Sequence, residues 1–259
     1  MLDRFRTAKA EEIRRLEAQA NQGTLPAPYT GPRRSFGETL RQRGRESAHG
    51  LAIIAEYKRA SPSRGDIALD LSPEDVARQY LRAGASALSV LTEETYFKGN
   101  LGFLERMAFA DVPLLRKDFL FHPLQVRQTA GTPASALLLI VRMFNSMDAL
   151  RTMLDLTHEL GMEAVVEVFD ERDLAMAREA QARIIQVNNR DLDTLRTDLA
   201  ICSRLGHHRT DAEVWIAASG ISSGADVRYV ADQGYDAMLV GTALMRHGTP
   251  ELALQALLA

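Results

Sequence analysis

An α/β fold, a (β/α)8 TIM barrel with an N-terminal helical extension, is what this chain predicts, and three observations predict it. Eight short apolar runs recur from Leu51 onward at intervals of roughly 20 to 35 residues. Stretches with apolar residues at helical spacing separate them, and most of these close on Gly before the next run. The length, 259 residues, matches the ~250 residues such a barrel occupies. An open doubly wound sheet is the competing architecture, but no G-x-G-x-x-G turn follows the first run, and eight units exceed what most open sheets use.

Residues 1 to about 46 read as the extension, and residues 47–259 as the barrel domain. The extension opens with the charge-dense helix MLDRFRTAKAEEIRRLEAQA, which the Gly/Pro segment NQGTLPAPYTGPRR interrupts before a second helix near SFGETLRQRGRES. The first strand is LAIIAEYK, followed by the helical SPEDVARQYLRAG, and the second is ALSVLT. VPLLRKDF is the third, with helix HPLQVRQTAG, and SALLLIV the fourth, with helix SMDALRTMLDLTHELG. EAVVEVFD, helix ERDLAMAREA, RIIQVNNRD, VWIAASG, helix SSGADVRYVADQG and DAMLVGT complete the series.

Composition narrows the class of function. With 46% hydrophobic and 25% charged residues, the chain is an ordinary globular protein with material for a substantial core. A formal net charge of −3 supplies no basic field, which argues against a nucleic-acid partner. The N-terminus has no apolar core of a secretory signal, and no segment reaches the ~18 uninterrupted apolar residues of a membrane span. A single cysteine, Cys202, excludes an internal disulfide and a thiolate zinc site, reads as a small core residue, and fits a cytoplasmic location. Only Lys9, Lys58, Lys98 and Lys117 are lysines among 31 basic residues. Where a guanidinium serves, the chain uses one, so a lysine at a strand end points to an amine that must exchange its proton.

Barrel chemistry sits at the C-terminal ends of the strands, and polar groups gather there. Strand one ends in Glu56 and Lys58, which alternation places on one face while Tyr57 and Arg59 take the other. Strand three ends in Arg116, Lys117 and Asp118, strand five in Glu167, and strand six in Asn188, Asn189 and Arg190. Strand seven ends in Ser219-Gly220 and strand eight in Gly241-Thr242, small residues whose backbone N–H groups can surround a phosphate. Any one of these groups alone reads equally well as a cap or an ion-pair partner. Their recurrence on six of eight strands points to a site for a small phosphorylated molecule. His122, before Pro123, is placed to touch the site mouth, and His207-His208 read as an exposed turn.

In this order and spacing, IAEYKRASPSRG, LSVLTEETYFKGN, PLLRKDF, VVEVFDERDL, IIQVNNRDLDTL and GTALM resemble the indole-3-glycerol phosphate synthase family. The resemblance covers residues 36 to 250, and its most specific motifs are Glu-x-Lys-x-x-Ser-Pro-Ser and Asn-Asn-Arg-Asp-Leu. It implies a lyase of tryptophan biosynthesis that closes the pyrrole ring of 1-(2-carboxyphenylamino)-1-deoxyribulose 5-phosphate with loss of carbon dioxide and water, without metal or organic cofactor. It further implies that Lys117 is the general acid and that Glu56, Lys58 and Glu167 handle the other protons. Asn188, Arg190, Ser61, Phe97 and Ser219 would bind substrate, and Gly220, Gly241 and Thr242 would hold its phosphate. Other tryptophan-pathway enzymes are the protein partners it suggests.

One position departs from the family pattern, which carries Glu-Ser-Gly-Ile after strand seven where this chain reads Ala218-Ser219-Gly220-Ile221. Three readings follow: a synthase lacking one substrate-binding carboxylate, a diverged paralogue acting on a related arylamino-ribulose phosphate or an engineered substitution, and a non-catalytic ligand-binding barrel or assembly subunit. An isomerase of the phosphoribosylanthranilate type fits less well, because it needs a Cys and Asp acid–base pair at the barrel mouth. Cys202 falls in a helix-like segment after strand six.

Overall fold

Eight strands, each buried on both faces and rich in aliphatic residues, pair only in parallel and close on themselves, as such strands must when helices cover them. They are β1 (Ala52–Tyr57), β2 (Ala87–Leu91), β3 (Leu114–Lys117), β4 (Ala136–Ile140), β5 (Glu163–Val168), β6 (Ile184–Asn188), β7 (Val214–Ala218) and β8 (Ala237–Val240). The cycle runs in chain order and closes through β8 against β1, with Ala52 opposite Ala237 and Ala55 opposite Val240. The structure is a computed structural model, and it describes residues 2–191, 194–246 and 248–259.

Two helices precede the barrel, α1 (Leu2–Asn21) and α2 (Phe36–Glu46). The surrounding helices are α3 (Pro73–Arg82), the short α4 (Phe103–Arg106), α5 (Pro123–Ala130), α6 (Met147–Glu159), α7 (Glu171–Glu179), α8 (Ala200–Gly206), α9 (Gly224–Asp232), α10 (Thr242–Met245) and α11 (Pro250–Leu258). Their starts are written in the sequence: Ser72, Ser146, Asp170 and Ser223 each accept a backbone N–H from the first turn, and Pro73, Pro123 and Pro250 stand where a missing N–H costs nothing. His122 is one of these caps, its Nδ1 accepting the Leu124 N–H while Gln125 reaches back, so its side chain closes a helix end and is not a group of the site. No described helix is long and apolar enough to cross a membrane.

Strand alternation sorts the core into two layers. Inward residues such as Ile54, Leu115, Leu138, Val165, Ile184 and Ile216 fill the barrel, and outward ones such as Tyr57, Val90, Leu139, Ile185 and Trp215 meet the helices. Helix α2 lies across β1, β2, β7 and β8, and its Phe36 and Leu40 join the inward layer with no exposure. Its first turn is fixed by Glu163 at the start of β5, whose carboxylate accepts the Phe36 and Gly37 N–H groups. Gly44 lets the same helix touch the barrel, since a Cβ there would stand 2.6 Å from the Asp236 carbonyl oxygen.

Candidate active site

At the C-terminal rim, Glu56 projects inward from β1, and Lys58 one residue past the strand joins it, Nζ to Oε1 at 3.0 Å. The carboxylate is 2% exposed, and Ser89 Oγ donates to its second oxygen at 3.4 Å. Tyr57 and Arg59 take the outer face as alternation requires, Tyr57 edge-on to Phe103 and Arg59 over the same ring. The SPSRG segment folds as a two-residue antiparallel hairpin, Ala60–Ser61 against Gly65–Asp66, which turns Ser61 into the cavity.

Across the barrel, Lys117 Nζ lies 3.6 Å from Glu167 Oε2, a contact between β3 and β5. Lys58, Lys117, Glu167, Asn188 and Arg190 line one cavity with Ser61, Phe97, Ser219 and Thr242. Burial pulls the Arg190 guanidinium below its ordinary value, the neighbouring Arg64 adds to the pull, and Glu56 opposes it. Three cations facing one chamber make it receptive to an anionic ligand. Arg190 is held by its own loop, donating to the Leu195 carbonyl at 2.7 Å, while Asn188 Oδ1 accepts the Arg190 N–H. The Asn-Asn-Arg-Asp-Leu motif runs out of the described region at Leu192, which with Asp193 lies outside the described residues.

The end of β7 is bent by two consecutive left-handed residues, Ser219 at φ 69° and Gly220 at φ 83°. Such a conformation is uncommon for serine and needs support. Asn189 supplies it, donating Nδ2 to the carbonyls of Ala218 and Ser219 while its Oδ1 accepts the Cys202 N–H. Asn189 is therefore a clamp on the rim. Burial pushes the Cys202 thiol up to about 11, against weaker opposition from Asn189 and Tyr235, which suits an inert core residue. Ala218 faces inward and is 2% exposed. Gly241 sits against Glu56, whose Oε1 a Cβ at that position would overlap.

Arg116 and Asp118, read from sequence as site groups beside Lys117, are placed differently. Arg116 is buried and donates to Thr92, Gln128 and Thr129, and it pairs with Asp118 at 3.2 Å. Asp118 borders the cavity, but its carboxylate is tied to Arg116, to Thr92 and to Lys9 of α1, the last at 2.7 Å. Desolvation pushes the Asp118 carboxyl up, but Lys9, Arg116 and the hydrogen bonds outweigh it and leave it below its ordinary value. Several contributors carried no local sequence signal. Phe5 of α1 lines the cavity and stacks on Phe119, centroids 3.8 Å apart. Glu93 accepts the N–H groups of Thr95, Tyr96 and Phe97, which sets the Phe97 ring over the rim. Gln186 was legible only as a polar residue inside the run IIQVNN. Among the described residues no three His, Cys, Asp or Glu side chains gather as a metal site.

A closed eightfold barrel with two lysine–carboxylate pairs at its C-terminal rim, of which Lys58, Lys117 and Glu167 line one cavity and Glu56 lies behind Lys58, defines a class, the (β/α)8-barrel enzymes. Solved structures agree on the fold: 3-hexulose-6-phosphate synthase from Salmonella typhimurium superposes with a TM-score of 0.64 at 13% identity, over 80% of this chain and 96% of that one. The family model for indole-3-glycerol phosphate synthase matches residues 2–257, and the chain belongs to that family. Among curated relatives of that name, the one from Deinococcus radiodurans is 41% identical over all of this chain and 95% of its own length. The one from Desulfosudis oleivorans is 43% identical over 83% of this chain and 81% of its own.

Proposed function

We propose that this chamber closes the indole ring of 1-(2-carboxyphenylamino)-1-deoxyribulose 5-phosphate, with the residue roles given below. The activity is a decarboxylating carbon–carbon lyase step of tryptophan biosynthesis, and family membership favours it over a diverged paralogue or a non-catalytic barrel. The observation that carries the roles is the facing of Lys117 and Glu167 at 3.6 Å, opposite the Glu56–Lys58 pair.

The reaction needs three events. The ring carbon bearing the carboxylate attacks the ribulose ketone carbon, and the carbonyl oxygen takes a proton from Lys117 as the new bond forms. Carbon dioxide then leaves, its bonding pair returning to the ring. The hydroxyl departs as water after a second proton is delivered to it, and a base removes one proton from the adjacent methylene carbon, which completes the pyrrole. Two protons are given and one is recovered, so the site needs both donors and a base. Glu167 and Lys58 in the chamber, with Glu56 paired to Lys58, are the groups that fill those parts.

Arg190 and Asn188 hold the substrate's anionic and polar groups, with Ser61, Phe97 and Ser219 bordering it. Gly220 and the Gly241-Thr242 turn receive the phosphate on backbone N–H groups, an arrangement the bent rim of β7 supports. We read residues 1–46 as an extension belonging to the site, since Phe5 borders the cavity. The cytoplasm is the proposed location, and other tryptophan-pathway enzymes are the partners to test by co-purification. Turnover of the deoxyribulose substrate, followed by indole fluorescence, tests the assignment. Lys117→Arg should nearly abolish it with the fold intact, because a guanidinium holds its proton too tightly to cycle. Comparable turnover in this variant and the parent would remove Lys117 from the role.

A further inference from the structure

Gln186 is a polar side chain of the inner barrel that the proposed mechanism does not use. It lies on β6 directly opposite Glu167 of β5 in the strand register, points inward as Glu167 does, and has no exposed surface. Its Nε2 donates to Glu167 Oε2 at 2.5 Å, while its Oε1 is buried with no hydrogen-bond partner. Below it and beside it the inward positions are aliphatic, Ile184 on its own strand and Ile216 on β7, while Asn188 two residues above opens onto the cavity. A leucine or methionine would fill this volume without stranding a carbonyl, and stranding one is costly. A residue that violates the local preference and has a single polar contact owes its place to that contact.

We infer that Gln186 is a positioning residue for Glu167, matched to a carboxyl that must both take and return a proton. In the ionised state the amide N–H fixes Oε2, the oxygen that also faces Lys117. A protonated carboxyl needs an acceptor instead, and an amide turned through 180° offers Oε1 in the same place with no change of shape. The unpartnered Oε1 is the half of the amide held for that second state. No aliphatic side chain serves either state.

The inference rests on Glu167 being a proton-transfer group, so the experiment carries a control for that. Gln186→Met, Gln186→Leu, Glu167→Gln and the double variant Glu167→Gln/Gln186→Met are compared with the parent for kcat, KM, the pH profile of kcat, and the thermal midpoint. In Gln186→Met, kcat should fall about ten-fold with KM within about two-fold of the parent, the size of a lost hydrogen bond to a charged group. The acidic limb of its profile should move to higher pH, because a carboxylate without its donor holds a proton more readily. Lys117 and Asp118 at the end of β3, Lys58 just past β1 with Glu56 behind it, and Arg190 beyond β6 are the other charged groups around this chamber, and none of them is changed. The midpoint should change little, since the donor lost to the buried Glu167 carboxylate is offset by removal of an unpaired carbonyl. In the Glu167→Gln background the Gln186→Met change should add nothing. Parent-like kcat and pH profile in both Gln186 variants, with Glu167→Gln inactive, would overturn this inference alone. Parent-like turnover in Glu167→Gln would overturn the Glu167 role and this inference with it. A loss of kcat that tracks a fall in midpoint and leaves the pH profile in place would assign Gln186 to packing and overturn the positioning role.

Discussion

Replacing Lys9 by methionine removes a buried cation that ties α1 to the barrel. Lys9 Nζ stands 2.7 Å from Asp118 Oδ1, with side-chain exposures of 4% and 0%. At an effective dielectric of about 20, a pair at that separation attracts by about 6 kcal/mol before any desolvation is counted. The methionine no longer has to be stripped of water as an ammonium, which returns several kcal/mol, and Asp118 keeps Arg116 at 3.2 Å and the Thr92 hydroxyl. What remains is a net loss of about 3 kcal/mol, the lower end of the range for orphaning one partner of a buried pair. Urea unfolding of the parent, Lys9→Met, Asp118→Asn and the double variant measures it, with coincidence of fluorescence and circular dichroism checking that the transition is two-state. The coupling energy from this cycle should exceed about 1.5 kcal/mol. Additive losses, or a Lys9→Met penalty under about 1 kcal/mol as for an exposed pair, would refute the claim that this contact fastens the helix.

Asp118 also sets a pH dependence. Because its folded-state pKa lies below the unfolded value, its contribution is complete above the ordinary carboxylate range and disappears as pH falls through the lowered folded value. Acid titration of stability should therefore show a steeper loss below about pH 4 in the parent than in Asp118→Asn, and parallel curves would contradict this. Gly241→Val should lower kcat as well as raise KM, since its Cβ would displace the Glu56 carboxylate. A pure KM effect would mean that Glu56 has no part in turnover. Ala218→Glu should raise kcat/KM by roughly ten-fold if a substrate contact worth over ~1.4 kcal/mol is restored, and equal or lower activity at matched stability would reject the missing-carboxylate reading.

The barrel was readable because two periodicities, of strand and of helix, repeat with little interruption from Leu51 onward. The Glu56–Lys58 pairing followed from the same alternation. That rule, applied to strand three, would also have turned Arg116 and Asp118 away from Lys117, and counting polar residues at strand ends obscured this. Phe5, Lys9 and Glu93 were out of reach for another reason. Phe5 and Lys9 act across more than a hundred residues of sequence, and Glu93 acts on backbone groups, so neither kind of contact leaves a pattern in composition. His122 was misplaced because a histidine before proline is as good a helix cap as it is a site group.

Helix α2 closes the N-terminal end of the barrel with Phe36 and Leu40, and the inward residues above them, such as Ile54, Leu138, Ile184 and Ile216, are buried. The reaction splits one molecule into three, and the two small fragments have no back exit through such a plug. Carbon dioxide and water then leave by the mouth through which the substrate entered, the same opening the indole product uses. Traffic through a single doorway makes the order of departure part of the catalytic cycle, and any residue that narrows the rim acts on every species that crosses it.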